Sequence, residues 1–326
     1  MRFRTIVLGA LVLAAVPELA GGAAAQSYPT RPIAMVVPYA AGGPTDTVAR
    51  IIADRMARSL PQPVIVEDLP GAGGTIAAAR VARADPDGYT LSIGSWSSYV
   101  VSPVVYPQLP YEALRDFAPV ALLTRTPLLI IAKKDMPAND LQGMVAWLKA
   151  NPDTAFQGIA GGTDQVAGFL LQQQTGARFG SVPYRGLAPA MQDLLAGRID
   201  FLFDQPSDAL PQIRGGAVKV FAVTAGTRLA IAPDIPTVDE AGLPGLYITP
   251  WHSLWVPANT PPGVIARLNA AAMDALGDPA LRKRLADVGQ EVIPREQQTP
   301  EALSVYYKAE TDKWWPIIKA AGIKAD

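Results

Sequence analysis

Twice in this chain a strand-like apolar run ends in a Gly-Gly turn carrying Thr-Asp and passes straight into a helix pattern. The first turn, Gly42-Gly43-Pro44-Thr45-Asp46, follows the run at 33–39; the second, Gly161-Gly162-Thr163-Asp164, follows the run at 154–159. Glycine lets a backbone approach a ligand closely, and the unpaired N–H groups at a helix start attract anions. Gly, Thr and Asp are also common in ordinary strand-to-helix turns, so either turn alone is ambiguous. Their pairing suggests two lobes, each offering one anion-binding corner to a shared cleft.

The surrounding pattern fits an α/β class. Residues 33–38 read as a buried strand, and 47–60 carry Val48, Ile51, Ile52, Met56 and Leu60 at helical spacing. A second strand at 63–67, a helix opened by Gly71-Ala72-Gly73-Gly74 and a third strand at 89–93 complete a βαβαβ order. That order implies a parallel sheet with right-handed crossovers, whose ligands bind beyond the carboxyl ends of the strands. Alternation continues with strands at 128–132, 156–159, 181–183, 199–203 and 218–224, and helices at 141–150, 166–175, 188–196 and 209–215. Residues 233–256 are rich in Pro and Gly and read as a return path between lobes, after which two helices, 262–276 and 300–321, close the chain.

At the N-terminus Arg2 and Arg4 precede an apolar core at 6–16, and Ala23-Ala24-Ala25 fits a small-residue cleavage site before Gln26. Pro17 and Glu18 interrupt the stretch, which is short of the about 20 apolar residues that a spanning helix needs. The reading is a cleavable signal peptide over 1–25 and a periplasmic mature protein. Cysteine is absent, which excludes a disulfide framework and a cysteine-linked lipid. A formal net charge of −1 without a basic run argues against nucleic acid or a membrane surface as partner. An anionic ligand must therefore be captured by local geometry.

Catalytic constellations are missing from the sequence. With His252 as the only histidine, no histidine triad or multi-histidine metal site can be built, and its place beside Trp251 and Trp255 suggests a packed or hinge-associated ring. Gly94-Ser95-Trp96-Ser97-Ser98 lacks the second glycine of a nucleophile elbow. Gly71-Ala72-Gly73-Gly74-Thr75-Ile76 has Ile76 where a dinucleotide fingerprint needs its third glycine. A binder without cofactor or metal is the economical reading; an enzyme or a sensor on the same scaffold are the alternatives.

Several ordered motifs also resemble one family: Tyr28-Pro29-Thr30-Arg31-Pro32-Ile33, the stretch 36–50, Pro70-Gly71-Ala72-Gly73-Gly74, Pro86-Asp87-Gly88-Tyr89-Thr90-Leu91, Val182-Pro183-Tyr184-Arg185-Gly186, Asp193-Leu194-Leu195-Ala196-Gly197 and Pro236-Thr237-Val238-Asp239-Glu240-Ala241-Gly242. Across essentially the whole mature length the chain resembles the Bug-type substrate-binding proteins of tripartite tricarboxylate transporters. The resemblance implies a type II periplasmic-binding-protein fold, with two α/β lobes, a two-stranded hinge and a ligand cleft. It also implies a small carboxylate as ligand (a di- or tricarboxylate, an aromatic acid or an amino acid) and membrane transporter subunits as partners of a monomer. On this reading the first lobe takes 26–126 and 250–326, and the second 127–249.

Family ligands are held largely by backbone amides and waters from two facing loops, which match 39–46 and 158–165 here. The expected contacts are Tyr39, Ala40, Gly42, Gly43, Thr45 and Asp46 in the first loop, and Gly161, Gly162, Thr163, Asp164 and Gln165 in the second. Many members carry histidine where this chain has Gln165, which hydrogen-bonds but holds no charge. Asp46 and Asp164 would repel an anion and suit helix-start caps better. Around them, Tyr39 either packs on the ligand or supports its loop. Trp96, between Ser95 and Ser97, either stacks on a planar acid or plugs the space between lobes. Arg185, after Tyr184, either pairs with a carboxylate or faces solvent; Asp204 either binds an amine or water or supports the hinge.

Overall fold

The computed structural model describes residues 28–324, so the expected leader at 1–25 lies outside the described residues. In the first of two mixed sheets, β1 (Ile33–Val37), β2 (Val64–Asp68) and β3 (Thr90–Ser95) run parallel, with β1 between the other two. The crossovers are α1 (Pro44–Ser59) and α2 (Thr75–Ala82). Val48, Ile51, Ile52 and Met56 recur every three to four residues, and all four are buried against the strands. A π-helical turn at Ser97–Val101 and the short α3 (Ser102–Val105) follow β3, and β4 (Phe117–Arg125) completes this stretch of the sheet.

The chain then crosses to the second sheet through β5 (Leu129–Lys133), followed by α4 (Leu141–Ala150), β6 (Phe156–Ile159), α5 (Gly162–Thr175), β7 (Gly180–Pro183), α6 (Leu187–Leu195), β8 (Phe201–Asp204), α7 (Pro206–Arg214) and β9 (Val218–Val223). Its spatial order is β7-β6-β8-β5-β9, with β6 parallel to β7 and β8, and β5 antiparallel to β8 and β9. The return enters β10 (Trp251–Pro257), then α8 (Pro262–Gly277), α9 (Pro279–Asp287), β11 (Glu291–Val292) and α10 (Pro300–Ala320). Each sheet carries an apolar cluster on both faces, the layered arrangement of an α/β lobe.

Two crossing segments lie side by side between the sheets. Thr126 N–H donates to Pro250 O at 2.9 Å, and Ile248 N–H to Thr224 O at 3.0 Å. The Thr224 hydroxyl donates to Ile248 O at 2.8 Å and accepts from Leu128 N–H at 2.9 Å. With only two strands of backbone joining the sheets here, relative rotation of the sheets requires dihedral change at few residues.

Three expectations need correction. The segment 233–256, expected as a return path, runs at its end into a strand: β10 lies in the middle of the first sheet, antiparallel to both β3 and β4, with every residue buried. A strand covered on both faces shows no polar alternation, and Pro250 and Pro257 mask its ends. Among the described residues the closing region holds three helices, with α9 lying between the two expected ones. The helix expected from Gly71 begins only at Thr75, since Gly71, Gly73 and Gly74 adopt positive φ angles of 134°, 59° and 92°.

Candidate functional site

The two Gly-Gly turns fold to the same local design. Gly43 and Gly161 are the extended N-cap residues of α1 and α5, so each Thr-Asp pair occupies the second and third helical positions. From there Asp46 Oδ2 accepts from Gly42 N–H at 2.7 Å, and Asp164 Oδ2 accepts from Ala160 N–H at 2.8 Å. Each carboxylate thus turns back onto its own loop and complements the positive end of its helix. Gly42 has φ +82°, a left-handed conformation that suits glycine. Pro44, in the first helical position, has no N–H to satisfy. The first-turn amides of Thr45 and Thr163 have no helical carbonyl one turn behind them, which leaves donors at both helix starts.

These starts face each other across a cavity of about 90 Å³, well above the roughly 10–15 Å³ that one water requires. Tyr39, Ala40, Gly43, Thr45, Ser95 and Ser97 wall it from the first sheet; Gly161, Thr163 and Asp164 wall it from the second. The lobes are in contact around it: Gly162 N–H donates to Ser97 Oγ at 3.0 Å. The Tyr39 hydroxyl lies 2.9 Å from Ser95 Oγ, so this ring both lines the cavity and ties its loop to the end of β3. Among the described residues, no lysine or arginine lines the cavity. An anion there meets amides, hydroxyls and helix starts.

The two aspartates differ electrostatically. Asp46 is paired with Arg50 Nε at 2.7 Å. Burial pushes the Asp164 carboxyl up to about 7, against the opposing pull of the Ala160 and Gly161 amides. Near neutral pH a substantial fraction of Asp164 therefore carries a proton, which relieves repulsion toward an anion in the cavity.

Other expected residues lie away from the cavity wall. Gly42 gives its N–H to Asp46, and Gly162 gives its own to Ser97. Asp46 is turned toward Gly42 and Arg50. Trp96 is buried, edge-on to Trp314 at 5.1 Å between ring centroids, in an apolar cluster that also takes in Val166 of α5, and it does not wall the cavity. Gln165, one residue past the turn, lines a separate groove with Gln157, Ser181 and Ile323. Tyr184 donates to Asp193 Oδ2 at 2.8 Å, while Arg185 is exposed. Asp204 is fully buried at the end of β8, where its Oδ1 accepts from Gln205 N–H at 2.7 Å.

The cavity also has walls that sequence reading missed: Ala41, Pro44, Ala160, Leu128 and Pro250 at the crossing segments, Gly186 to Pro189 at the start of α6, Gln205 and His252. Most are small or apolar residues brought there by backbone path, with no side-chain signature to find. His252 is buried, with Nε2 3.2 Å from Thr45 Oγ1 and Nδ1 3.2 Å from Thr124 Oγ1. Burial lowers its pKa to about 4, against a smaller raising effect of Gln290, so the imidazole is neutral at pH 7.

A model of the tripartite tricarboxylate transporter family receptor, TctC, matches residues 48–323. The chain belongs to this receptor family. The receptor superposes on the periplasmic binding protein BugD with a TM-score of 0.86 at 38% identity, covering 92% of this chain and 100% of BugD. It is also similar to MatC from Rhodopseudomonas palustris with bound malate, at TM-score 0.85 and 39% identity over 89% of this chain and 100% of MatC. Rpa4515 from R. palustris with adipate gives TM-score 0.86 at 31% identity, over 91% and 99% of the two chains. The receptor thus has the two-lobe α/β fold of periplasmic binding proteins, in a family of periplasmic solute-binding receptors.

Proposed function

We propose that this receptor captures a small carboxylate between its lobes and presents it to the membrane subunits of a tripartite tricarboxylate transporter. The observation that carries this reading is the pair of α1 and α5 helix starts facing one cavity that, among the described residues, no lysine or arginine lines. Two oriented helix ends stabilise a negative group by partial charge and by amide donation, without a full counter-charge. Malate and adipate in the similar proteins are both dicarboxylates, which supports the same class of ligand here. Gly43, Thr45, Gly161 and Thr163 supply the cradle; Tyr39, Ser95, Ser97 and the start of α6 form the walls around the ligand's tail.

In the mechanism we infer, the acid docks first on one helix start with the lobes apart. Rotation about the crossing segments near Thr126 and Pro250 then brings the other start onto it, and Gly162 seats on Ser97. The lobes divide on this reading at 126/127 and 249/250, with 26–126 and 250–326 forming the first. On this reading residues 1–25 direct export and are then removed at Ala25-Gln26. The hydroxyl–imidazole pair on the cavity wall, Thr45 Oγ1 and His252 Nε2 at 3.2 Å, has an imidazole whose pKa burial lowers to about 4, a weak base, which favours release of the ligand unchanged.

A thermal-shift and calorimetry panel of malate, succinate, citrate, adipate, benzoate and glutamate tests this. A ligand at 100 times its Kd stabilises the fold by about 2.7 kcal/mol, a shift of several degrees. Absence of both shift and heat with every acid refutes the carboxylate reading, and recovery of a modified ligand refutes the binder.

A further inference from the structure

A line of buried polar side chains begins at the cavity, leaves it, and returns on the opposite wall. Thr45, at the start of α1, lies 3.2 Å from Nε2 of His252 on β10, whose Nδ1 lies 3.2 Å from Oγ1 of Thr124 on β4. The Thr124 hydroxyl donates to Gln290 Oε1 at 2.8 Å, and Gln290 Nε2 donates to Gln205 Oε1 at 3.3 Å. Gln290 precedes β11 in the first lobe, whereas Gln205 caps α7 in the second. Thr45, Thr124, His252 and Gln290 are each at most 4% exposed. Both ends of the line, Thr45 and Gln205, wall the cavity.

Proton counting gives this line a direction. A hydroxyl has one proton to donate. Thr124 gives its proton to Gln290, so toward His252 it only accepts, and the ring proton of the neutral imidazole must sit on Nδ1. Nε2 is then a lone pair that takes the Thr45 proton. Thr45 consequently turns lone pairs toward the cavity, the wrong polarity for a carboxylate, which only accepts. The same five side chains have one other consistent direction. With both glutamine amides turned over, Gln205 donates to Gln290, Gln290 to Thr124, Thr124 to Nδ1, and Nε2–H to Thr45, whose own proton then points at the ligand. Proton number is the same in both directions.

We propose that a carboxylate bound at Thr45 reverses this hydrogen-bond line, shifting the His252 ring proton from Nδ1 to Nε2 and making His252, Thr124, Gln290 and Gln205 positioning residues for the Thr45 hydroxyl. The inference rests on the carboxylate reading above. It also links the lobes, because the polarity at the first helix start is set together with the orientation of Gln205 across the cleft. Burial keeps the imidazole neutral at pH 7, as a line of either direction requires; an imidazolium would donate at both nitrogens and erase the distinction.

As the only histidine in the chain, His252 gives unambiguous ring-nitrogen signals in the 15N-labelled full-length mature protein at pH 7. The expected result is a protonated Nδ1 without ligand and a protonated Nε2 once saturated with malate, or with whichever acid of the panel gives heat. A protonated Nε2 or an imidazolium in the ligand-free protein overturns the proposal. So does calorimetric binding with unchanged ring signals, which leaves the carboxylate reading standing; absence of heat with every acid removes both. In a second arm, Thr124→Val breaks the line at a residue that does not wall the cavity. Loss of that one buried hydrogen bond should weaken binding about five- to tenfold and leave both ring forms populated without ligand. Unchanged affinity and an unchanged ring form in this variant overturn the proposal.

Discussion

Gly162 is where the closed arrangement is most exposed to a single added atom. A Cβ built there lies 2.7 Å from Val101 Cβ, closer still to Val101 Cγ1, and 3.3 Å from Ser97 Oγ. Val101 and Ser97 belong to the π-helical turn after β3, on the other side of the cleft, so the overlap arises only when the lobes close. Overpacking of this kind costs about 1–3 kcal/mol. Since binding draws on the closed state, that cost converts to a roughly 5- to 150-fold rise in Kd for Gly162→Ala. The open protein should not suffer, because alanine at a helix start is at least as good a helix former as glycine. Gly263, in the first turn of α8 and outside the cavity, is the matched control: its added Cβ meets nothing within 4 Å. Calorimetry with a panel acid and ligand-free thermal melts read the two effects separately. Wild-type affinity in Gly162→Ala, or an equal loss in Gly263→Ala, refutes the assignment of this contact to closure. A lower ligand-free melting temperature in Gly162→Ala places the clash within the folded lobe instead.

Other substitutions separate cavity residues from their neighbours. The folded state holds the Asp164 proton up to about pH 7, against an ordinary value of 3.8. Between those values it binds more protons than the unfolded chain, so this group's contribution to stability falls as pH rises from about 4 to about 7. Asp208, raised by burial to about 6, adds a slope of the same sign. Asp164→Asn keeps an acceptor for Ala160 N–H but has no proton to lose, so its melting temperature should fall less steeply between pH 5 and 7; an unchanged slope contradicts the assignment. Trp96→Phe should lower stability by about 1–3 kcal/mol through lost packing on Trp314 while leaving Kd within about twofold. Arg185→Ala, at an exposed position outside the cavity, should change neither quantity, and a tenfold loss of affinity in either variant would return that residue to the site.

The α/β character was legible because it is written in local periodicity. Val48, Ile51, Ile52 and Met56 mark a helix face whatever they pack against, and α4 and β6 fall where the sequence pattern puts them. β10 was not legible, because a strand buried on both faces and bounded by prolines lacks the alternation that betrays a half-buried one. Trp96 shows the same limit for a site residue. Its serine-rich neighbours suggest a loop at the ligand, yet the turn at Ser97–Val101 sends the ring into the core against Trp314, more than two hundred positions along the chain.

What the sequence determined by itself is the pair of helix starts. Each is closed by an aspartate at the third helical position reaching back four residues to a loop amide, a short-range contact that local sequence can encode. What only the tertiary structure decided is how those starts are used. Ser97 meets Gly162 across 65 positions, and Thr45 meets His252 across 207. Contacts at such separations depend on the packing of two sheets and their crossing segments. No local pattern encodes which face of a turn the other lobe will cover.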